Sequence, residues 1–529
     1  MSFPVLALLA LAPRALPDRL VTIDGRVLEV VDAKEDGDHW RIVLPAGEIR
    51  CPKSSVASVE AEGDMSDYVP ADDREREYLA QGYVRYRGRW MSKSGYEDEL
   101  RKVADERRKR TAELAAHSDF ANAWTLETKH FVVKSNTSPE ILQHYADLLE
   151  AYYALMDDRI GIKPTPTMKR TKMTVNIYKS HAELLKLSDS EIDESVLGYF
   201  WSVDNTLNFF HDYKDPAMSE MVGLHECTHL LTYLIDQDYL PQVWINEAVA
   251  DYYGCATIER DTRGRVAVQP GRVQLDQVLT VQQAIAAGKY TRLTELFLIT
   301  DEEFDGFHYA HAWSFVYFLL SKPEYARTFE RWFEQLYTQK LAGYKTEKLD
   351  AGWDDKTGQR LRYKPEDVRD ALLKALKKKS LDDLEREWLE FVGAMPIEGP
   401  RARFQRAYET VKSGEGDLHQ AKEDILYAIS QGLADPRAHW TLGYLQIADG
   451  AWDEAAKSFR RAIELAPLEA LYRAELGWAL SGWWGEGTPE GTPDELSEAQ
   501  QCFDLAKELA PDEEQYGELA AGYRAARGG

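Results

Sequence analysis

Alternating apolar and polar positions mark a short segment near the start of the chain, at residues 18–62. Over residues 18–62 the alternation has the two-residue period of a β-strand and is broken by turn sequences such as Asp24-Gly25, which predicts a small antiparallel, β-barrel-like module at residues 17–62. Residues 63–120 are charged and predict a helical connector whose main stretch, 71–116, is interrupted at 82–90. We expect this connector to pack on the domain that follows it.

The two-residue period of β-strands and the 3.6-residue period of helices both occur in the middle of the chain, at residues 121–398. The predicted elements are a strand at 130–134, an amphipathic helix over Pro139–Ile160, a strand over Met173–Tyr178, a short helix over His181–Leu187 and a strand over Thr206–Phe210. From there to about Met395 the sequence is almost wholly helical. We therefore expect an α+β domain with its strands in the first half.

A 34-residue repeat distinguishes residues 399–529. Leu442-Gly443 recurs as Leu476-Gly477, and a triplet recurs at the same distance, in which Ala421, Ile425 and Ala428 match Ala455, Phe459 and Ala462. The pattern resumes after an insertion at 485–494, and a last helix is expected at 513–527. These positions resemble tetratricopeptide repeats and predict an α-solenoid of about three helical hairpins with a capping helix. Such repeats imply binding of a protein or an extended peptide, and packing or an oligomer contact is the alternative.

Composition narrows the classes of function. The 529-residue chain has 64 basic and 90 acidic residues and a formal charge of -26, which argues against nucleic acid as a partner because phosphates would be repelled. Its four cysteines (Cys51, Cys227, Cys255 and Cys502) are too scattered for a disulfide framework. A bridge between Cys227 and Cys255 and two buried free thiols are both compatible with the sequence, and the usual burial of free cysteine favours the thiols.

The first 16 residues form a hydrophobic leader with the apolar run VLALLALA at residues 5–12. The run has the length of a signal peptide, although no Lys or Arg precedes it and Pro13 follows the most obvious cleavage site. If it is a signal peptide, the protein is exported and is periplasmic or extracellular; otherwise it is cytoplasmic. No later segment has the roughly 20 apolar residues of a membrane-spanning helix, so we expect no integral membrane segment in the mature chain.

Candidate chemistry is concentrated in two short motifs. In the stretch HECTH, His225 and His229 are four residues apart, so on a helix both imidazoles face one side and can bind the same metal ion. Glu226 lies about 100° around the helix from His225, where it can accept a proton from water beside the metal. Glu247 follows His229 by 18 residues and supplies the third protein ligand that a catalytic zinc requires. Asp251, one turn later, can accept the other ring N–H of a histidine ligand.

The two motifs resemble those of the gluzincins, the thermolysin-like superfamily of zinc metallopeptidases that includes aminopeptidase N type enzymes and many bacterial peptidase MA-like domains. The family patterns HExxH and NExx[S/A]D are met by His225, Glu226, His229, Asn246, Glu247 and Asp251, with a spacer a residue or two shorter than in the best-known members. The resemblance implies one Zn²⁺ ion held by His225, His229 and Glu247, with Glu226 as general base in peptide-bond hydrolysis. It also implies a thermolysin-like fold, with a mixed sheet and a helical lobe, at residues 121–398.

The resemblance also implies roles outside the motifs. Gluzincins pair an extended peptide with an edge strand just before the HExxH helix, which makes Thr206–Phe210 the candidate substrate strand. They place a Tyr or His of the helical lobe over the zinc as oxyanion donor, a role for which Tyr309 is the first candidate and His311 the second. Because a GxMEN-type pattern for capturing a free amino terminus is absent from the sequence, we expect an endopeptidase.

Two other functions are compatible with the same residues. The chain could be a scaffold or binding protein of this fold whose metal site has little or no hydrolytic activity. The metal site could also act on other electrophiles, as in the epoxide-opening branch of the superfamily. The complete set of ligands, general base and hydrogen-bonding carboxylate favours the peptidase.

Overall fold

The computed structural model describes residues 18–22, 26–60, 70–86, 89–162, 172–188, 192–212, 215–260, 264–349, 360–397, 399–414, 416–511 and 513–528. The predicted leader at 1–16 lies outside these residues. The described part of the chain is mostly helical with several small sheets, and it divides into two compact units. The first unit combines the residues up to Thr111 with those from Arg403 onward, and the second consists of Ala112–Ala402.

The predicted antiparallel β module is present at the start of the first unit. It has two three-stranded antiparallel sheets, ordered β2-β1-β6 and β3-β4-β5, built from β1 (Asp18–Thr22), β2 (Val27–Val30), β3 (Asp32–Asp36), β4 (His39–Leu44), β5 (Gly47–Pro52) and β6 (Val56–Glu60). A short 3-10 helix, Lys53–Ser55, precedes β6. The predicted connector contains α1 (Asp73–Ala80) and α2 (Lys93–Ala116), and its predicted interruption is a β-hairpin of β7 (Val84–Tyr86) and β8 (Arg89–Met91).

The repeats at the end of the chain form helical hairpins. Their helices are α13 (Pro400–Ser413), α14 (Leu418–Ser430), α15 (Pro436–Ala448), α16 (Trp452–Leu465), α17 (Ala470–Ser481), α18 (Pro493–Leu509) and the capping helix α19 (Glu514–Gly528). The 34-residue period has a packing cause: a Cβ on Gly443 would lie 2.5 Å from the Phe459 ring, and one on Gly477 would lie 2.8 Å from the Phe503 ring. Each glycine therefore admits a phenylalanine from the second helix of its hairpin. The predicted insertion lies between α17 and α18, although its last residues, Pro493 and Asp494, begin α18.

The β module and the repeats share a hydrophobic core. Buried side chains from both segments pack together: Leu20, Leu28, Ile42, Leu468, Leu505 and Leu509. Arg26 Nη1 donates to the backbone carbonyls of Leu468 at 3.1 Å and of Leu509 at 3.3 Å. The sequence suggests two separate domains at 17–62 and 399–529, whereas the structure places them in one compact unit. No local pattern signals this pairing, because the partners are more than 400 residues apart in sequence.

The second unit is built on a five-stranded mixed sheet of order β12-β13-β11-β10-β9. Its strands are β9 (Trp124–Glu127), β10 (Phe131–Ser135), β11 (Met173–Tyr178), β12 (Gly198–Trp201) and β13 (Thr206–Phe210). A 3-10 helix, Phe120–Asn122, precedes the sheet, and α3 (Pro139–Ile160) and α4 (His181–Leu187) connect its strands. The predicted α3, β11, α4 and β13 are confirmed with their bounds.

The helical half of this unit follows the sheet. It contains α5 (Pro216–Tyr233), α6 (Val243–Gly254), α7 (Leu275–Ala286), α8 (Leu293–Leu296), α9 (Gly306–Ser321), α10 (Pro323–Tyr337), α11 (Pro365–Leu376) and α12 (Leu381–Gly393). Two hairpins correct the expectation of an almost wholly helical segment, namely β14 (Thr257–Arg260) with β15 (Val266–Gln269), and β16 (Glu347–Leu349) with β17 (Arg360–Arg362). None of the helices in the described ranges combines the length and apolar character needed to cross a bilayer.

The prediction that Thr206–Phe210 is an edge strand is wrong. This strand, β13, lies inside the sheet, because β12 pairs with it on one side and β11 on the other. The edge strand on this side of the sheet is β12, a four-residue segment too short to show a clear alternation in sequence. Gly198 brings β12 close to α5, since a Cβ there would lie 2.6 Å from Val222 Cγ1.

Candidate metal centre

Two consecutive helices, α5 and α6, carry the candidate ligands. Asp215 caps α5 by accepting a hydrogen bond from Met218 N at 3.0 Å, and Pro216 occupies the first turn, where its missing N–H costs nothing. At the other end of the pair, Gly254 closes α6 against α5, because a Cβ on it would lie 2.8 Å from His225 N. This close approach brings the HExxH turn beside the turn that carries Glu247.

The three predicted ligands converge. His225 Nε2 lies 3.2 Å from His229 Nε2 and 3.4 Å from Glu247 Oε2, and His229 Nε2 lies 3.5 Å from Glu247 Oε1. A tetrahedral zinc ion with bonds of about 2.0–2.1 Å would hold neighbouring ligand atoms about 3.3 Å apart. The described residues therefore present a ligand set with the chemistry and the spacing that zinc requires, and they form a group in which all ligand atoms are within 4.8 Å of one another.

Charges within the group shift its protonation. Burial opposes a charge on His225, but its hydrogen bonds to Asp251 and Glu247 outweigh burial and raise its pKa well above the ordinary value. Burial likewise opposes a charge on His229, whose pKa is nevertheless raised by the Glu247 carboxylate. The two imidazoles in turn hold the pKa of Glu247 well below its ordinary value, against the effect of burial. The buried carboxylate of Glu247 and the two buried imidazoles thus stabilise one another in their charged forms.

The outer contacts differ between the two histidines. His225 Nδ1 donates to Asp251 Oδ1 at 2.9 Å, the contact expected from the motif, and Gln277 Nε2 lies 3.4 Å from the other oxygen of Asp251. This bond leaves His225 Nε2 to face the site. His229 Nδ1, in contrast, is buried and has no hydrogen-bond partner among the described residues.

The predicted general base, Glu226, contacts the edge strand. The backbone N–H of Phe200 in β12 donates to Glu226 Oε2 at 3.0 Å. The edge strand β12 therefore borders the candidate metal centre. The sequence did not identify Phe200, since its contribution comes from the backbone.

Tyr309 and His311 have different surroundings. The Tyr309 hydroxyl donates to Glu247 Oε2 at 2.9 Å, which places it at the candidate metal centre. His311 is fully buried, its Nδ1 hydrogen-bonds to the carbonyl of Phe307 at 2.8 Å, and its ring packs on Phe307 and Trp388. Of the two candidate oxyanion donors, the structure brings only Tyr309 to the ligands.

Further polar residues support Glu247. Asn246 Nδ2 donates to Glu247 Oε1 at 3.2 Å, and the Tyr337 hydroxyl donates to Asn246 Oδ1 at 3.0 Å. The motif predicts Asn246, but neither Tyr337 nor Gln277 was identified from sequence, because each lies on a different helix and outside any motif.

The cysteines near the site are free thiols. Cys227 and Cys255 are both buried and unbridged, and burial raises the pKa of both thiols. This agrees with the interpretation favoured by the sequence, two small buried side chains.

Comparison with known proteins bears on the repeats. No family model matches the chain. A curated tetratricopeptide repeat-containing protein, trd-1 of Caenorhabditis elegans, is 32% identical over 112 residues, which cover 20% of this chain and only 13% of that protein. Among solved structures, the type III secretion translocator chaperone SycD of Yersinia enterocolitica has 18% identity and a TM-score of 0.20, over 26% of this chain and 88% of that one. The curated relative supports the prediction of tetratricopeptide repeats in the chain.

Proposed function

We propose that the protein is a zinc-dependent metallopeptidase that hydrolyses internal peptide bonds. The convergence of His225, His229 and Glu247 at separations of 3.2, 3.4 and 3.5 Å carries this proposal. The bond from His225 Nδ1 to Asp251 directs the Nε2 lone pair of a neutral His225 into the group, where it meets other acceptors. A bound cation is the natural partner for such a set.

Bound zinc would polarise a substrate carbonyl and lower the pKa of water from about 15.7 towards 7. Glu226, held at Oε2 by Phe200 N–H, has its other oxygen to accept the proton of the attacking water and to pass it to the leaving amine. Burial raises the pKa of Tyr309, so its hydroxyl remains a donor at neutral pH. Turned from Glu247 towards the substrate, that hydroxyl would stabilise an oxyanion.

The edge strand β12 is the proposed substrate strand, in place of Thr206–Phe210. Side-chain and backbone directions repeat every two residues in a strand, so Gly198 presents its backbone groups on the same side as Phe200, away from β13. An extended peptide could pair with this edge as an added strand. Its scissile bond would then lie beside Glu226.

Metal analysis and one substitution test the proposal. The protein purified without chelator should hold about one equivalent of zinc and cleave a peptide library, and a chelator should abolish cleavage. Glu226→Gln should retain zinc and lose hydrolysis by about 10²–10⁴-fold, the usual contribution of a general base. Glu220→Gln is a matched control on the same helix, because Glu220 pairs with His144 and not with the metal group.

The results of these experiments distinguish the peptidase from a scaffold protein and from an enzyme that acts on another electrophile. Zinc retention without cleavage of any peptide would favour the scaffold or another electrophile as substrate. Less than about a tenth of an equivalent of zinc would contradict the metal centre itself. Full activity in Glu226→Gln would show that the assigned base is wrong.

We further propose that the repeats bind a protein or peptide partner. The supporting observations are the match to a tetratricopeptide repeat-containing protein and an aromatic surface on the repeats. Trp452 and Trp484 are exposed and both pack on Trp478, with ring centroids 6.0 and 5.6 Å from it. Exposed tryptophans of this kind are typical anchors for a partner.

A further inference from the structure

The carboxylate of Glu247 is held at both of its oxygens. Tyr309 donates to Oε2 at 2.9 Å and Asn246 Nδ2 donates to Oε1 at 3.2 Å. The second contact is unusual, because neighbouring residues on a helix project about 100° apart and do not normally face each other. Asn246 therefore needs an external restraint to direct its amide at the next residue.

Tyr337 on α10 supplies that restraint. Its hydroxyl donates to Asn246 Oδ1 at 3.0 Å, which fixes the oxygen of the amide towards Tyr337 and the nitrogen towards Glu247. Tyr337 is 2% exposed, so water does not readily replace its hydroxyl. Burial also raises its pKa, and the neutral hydroxyl keeps its proton to donate.

The same hydroxyl reaches the other metal helix. It interacts with the side chain of Thr232, which lies on α5 one turn beyond the HExxH motif. The Thr232 hydroxyl is itself tied to the backbone carbonyls of Thr228 at 2.9 Å and His229 at 3.1 Å. Tyr337 thus contacts side chains of both α5 and α6, the helices that carry the proposed ligands.

We propose that Tyr337 is a positioning residue of the metal centre: acting through Asn246, its hydroxyl holds Glu247 in the orientation that zinc binding requires. The inference rests on the proposed zinc site and adds a residue on a third helix to it. Tyr337 acts on Glu247 alone among the three proposed ligands. His225 is held by Asp251 instead, and His229 Nδ1 has no hydrogen-bond partner among the described residues.

Zinc affinity, measured by competition of Zn²⁺ between the full chain and a chelator of known affinity, tests the proposal. Tyr337→Phe should weaken zinc binding about tenfold, the lower end of the effect of outer partners. Tyr239→Phe is the matched control, since its ring packs 5.4 Å from that of Tyr337 and its buried hydroxyl has no hydrogen-bond partner among the described residues. This control should bind zinc as the unmodified protein does.

A double-mutant cycle separates positioning from general structure. If Tyr337 acts through Asn246, the variant carrying both Tyr337→Phe and Asn246→Ala should bind zinc no more weakly than Asn246→Ala alone. Thermal unfolding of the metal-free variants shows whether each still folds. Unchanged zinc affinity in Tyr337→Phe, or additive losses in the double variant, would overturn the proposal. If the unmodified protein bound no zinc, the proposed function would fail instead.

Discussion

Two groups of buried ionisable side chains, one in each compact unit, respond to burial in opposite ways. In the second unit, His225, His229 and Glu247 lie together, and their mutual attraction shifts each pKa towards its charged form. In the first unit, Glu475 is buried with only one oxygen bonded, to Tyr444 at 2.7 Å, while its Oε2 has no partner among the described residues. Burial raises the pKa of Glu475 to about 7.

The neighbouring Arg473 shows the same pattern as Glu475. Its Nη2 donates to the carbonyl of Pro467 at 3.1 Å, its Nε is buried without a partner in the described structure, and burial lowers its pKa. Burial alone therefore favours neutral side chains, whereas a group of opposite charges keeps its members ionised. The second arrangement is the kind of strongly perturbed cluster that is common at functional sites.

The largest expected effect comes from breaking the charged group. With zinc removed by a chelator, Glu247→Gln should lower the free energy of unfolding by about 3–5 kcal/mol at pH 5.5, because the imidazoles lose their buried counter-charge. Hydrogen exchange followed by mass spectrometry reports this separately for peptides of α6 and of α17. Protection of the α17 peptides should not change, and equal losses in both would contradict a local origin.

Replacement of Glu475 is expected to raise the free energy of unfolding, the opposite of the effect at Glu247. Its folded pKa, about 7, lies above the value of about 4.5 expected when unfolded, so between these values the folded chain binds the extra proton and stability falls as pH rises. Glu475→Gln should remove this fall, with no gain at pH 4 and a gain of about 3 kcal/mol at pH 8, since one pKa unit corresponds to about 1.4 kcal/mol. Unfolding measured from pH 4 to pH 8, with α17 peptides as the probe, checks the slope.

Glu486→Gln is the control for that experiment. Glu486 is exposed in the loop after α17, so its replacement should change stability little at either pH. A loss of stability in Glu475→Gln at pH 8 would show that the carboxylate is ionised and favourable, and would remove the contrast between Glu475 and the group around Glu247.

The sequence predicts features that depend on residues close together in the chain better than contacts between separate elements. The HExxH and NExx[S/A]D motifs indicate the candidate ligands because helical spacing alone places His225 beside His229, and the repeat period follows from Gly443 and Gly477 beneath phenylalanine rings. Tyr337, Gln277 and Phe200 could not be predicted, since their contacts depend on how separate elements pack. The edge strand β12 was missed for the same reason: its place is defined by pairing with β13, and a four-residue strand has little periodic signal.

The smallest expected effect concerns the hydrogen-bonding carboxylate of the metal group. Asp251→Asn keeps the shape of the side chain but removes the negative charge that faces His225 Nδ1 at 2.9 Å, so the ring loses both an oriented tautomer and part of its basicity. Zinc affinity should fall about tenfold, which corresponds to about 1.4 kcal/mol. Asp276→Asn, an exposed carboxylate on α7, should leave zinc affinity unchanged. If Asp251→Asn bound zinc normally, mutual attraction among the three ligands would suffice without outer support, and the contrast with Glu475 would rest on the ligands alone.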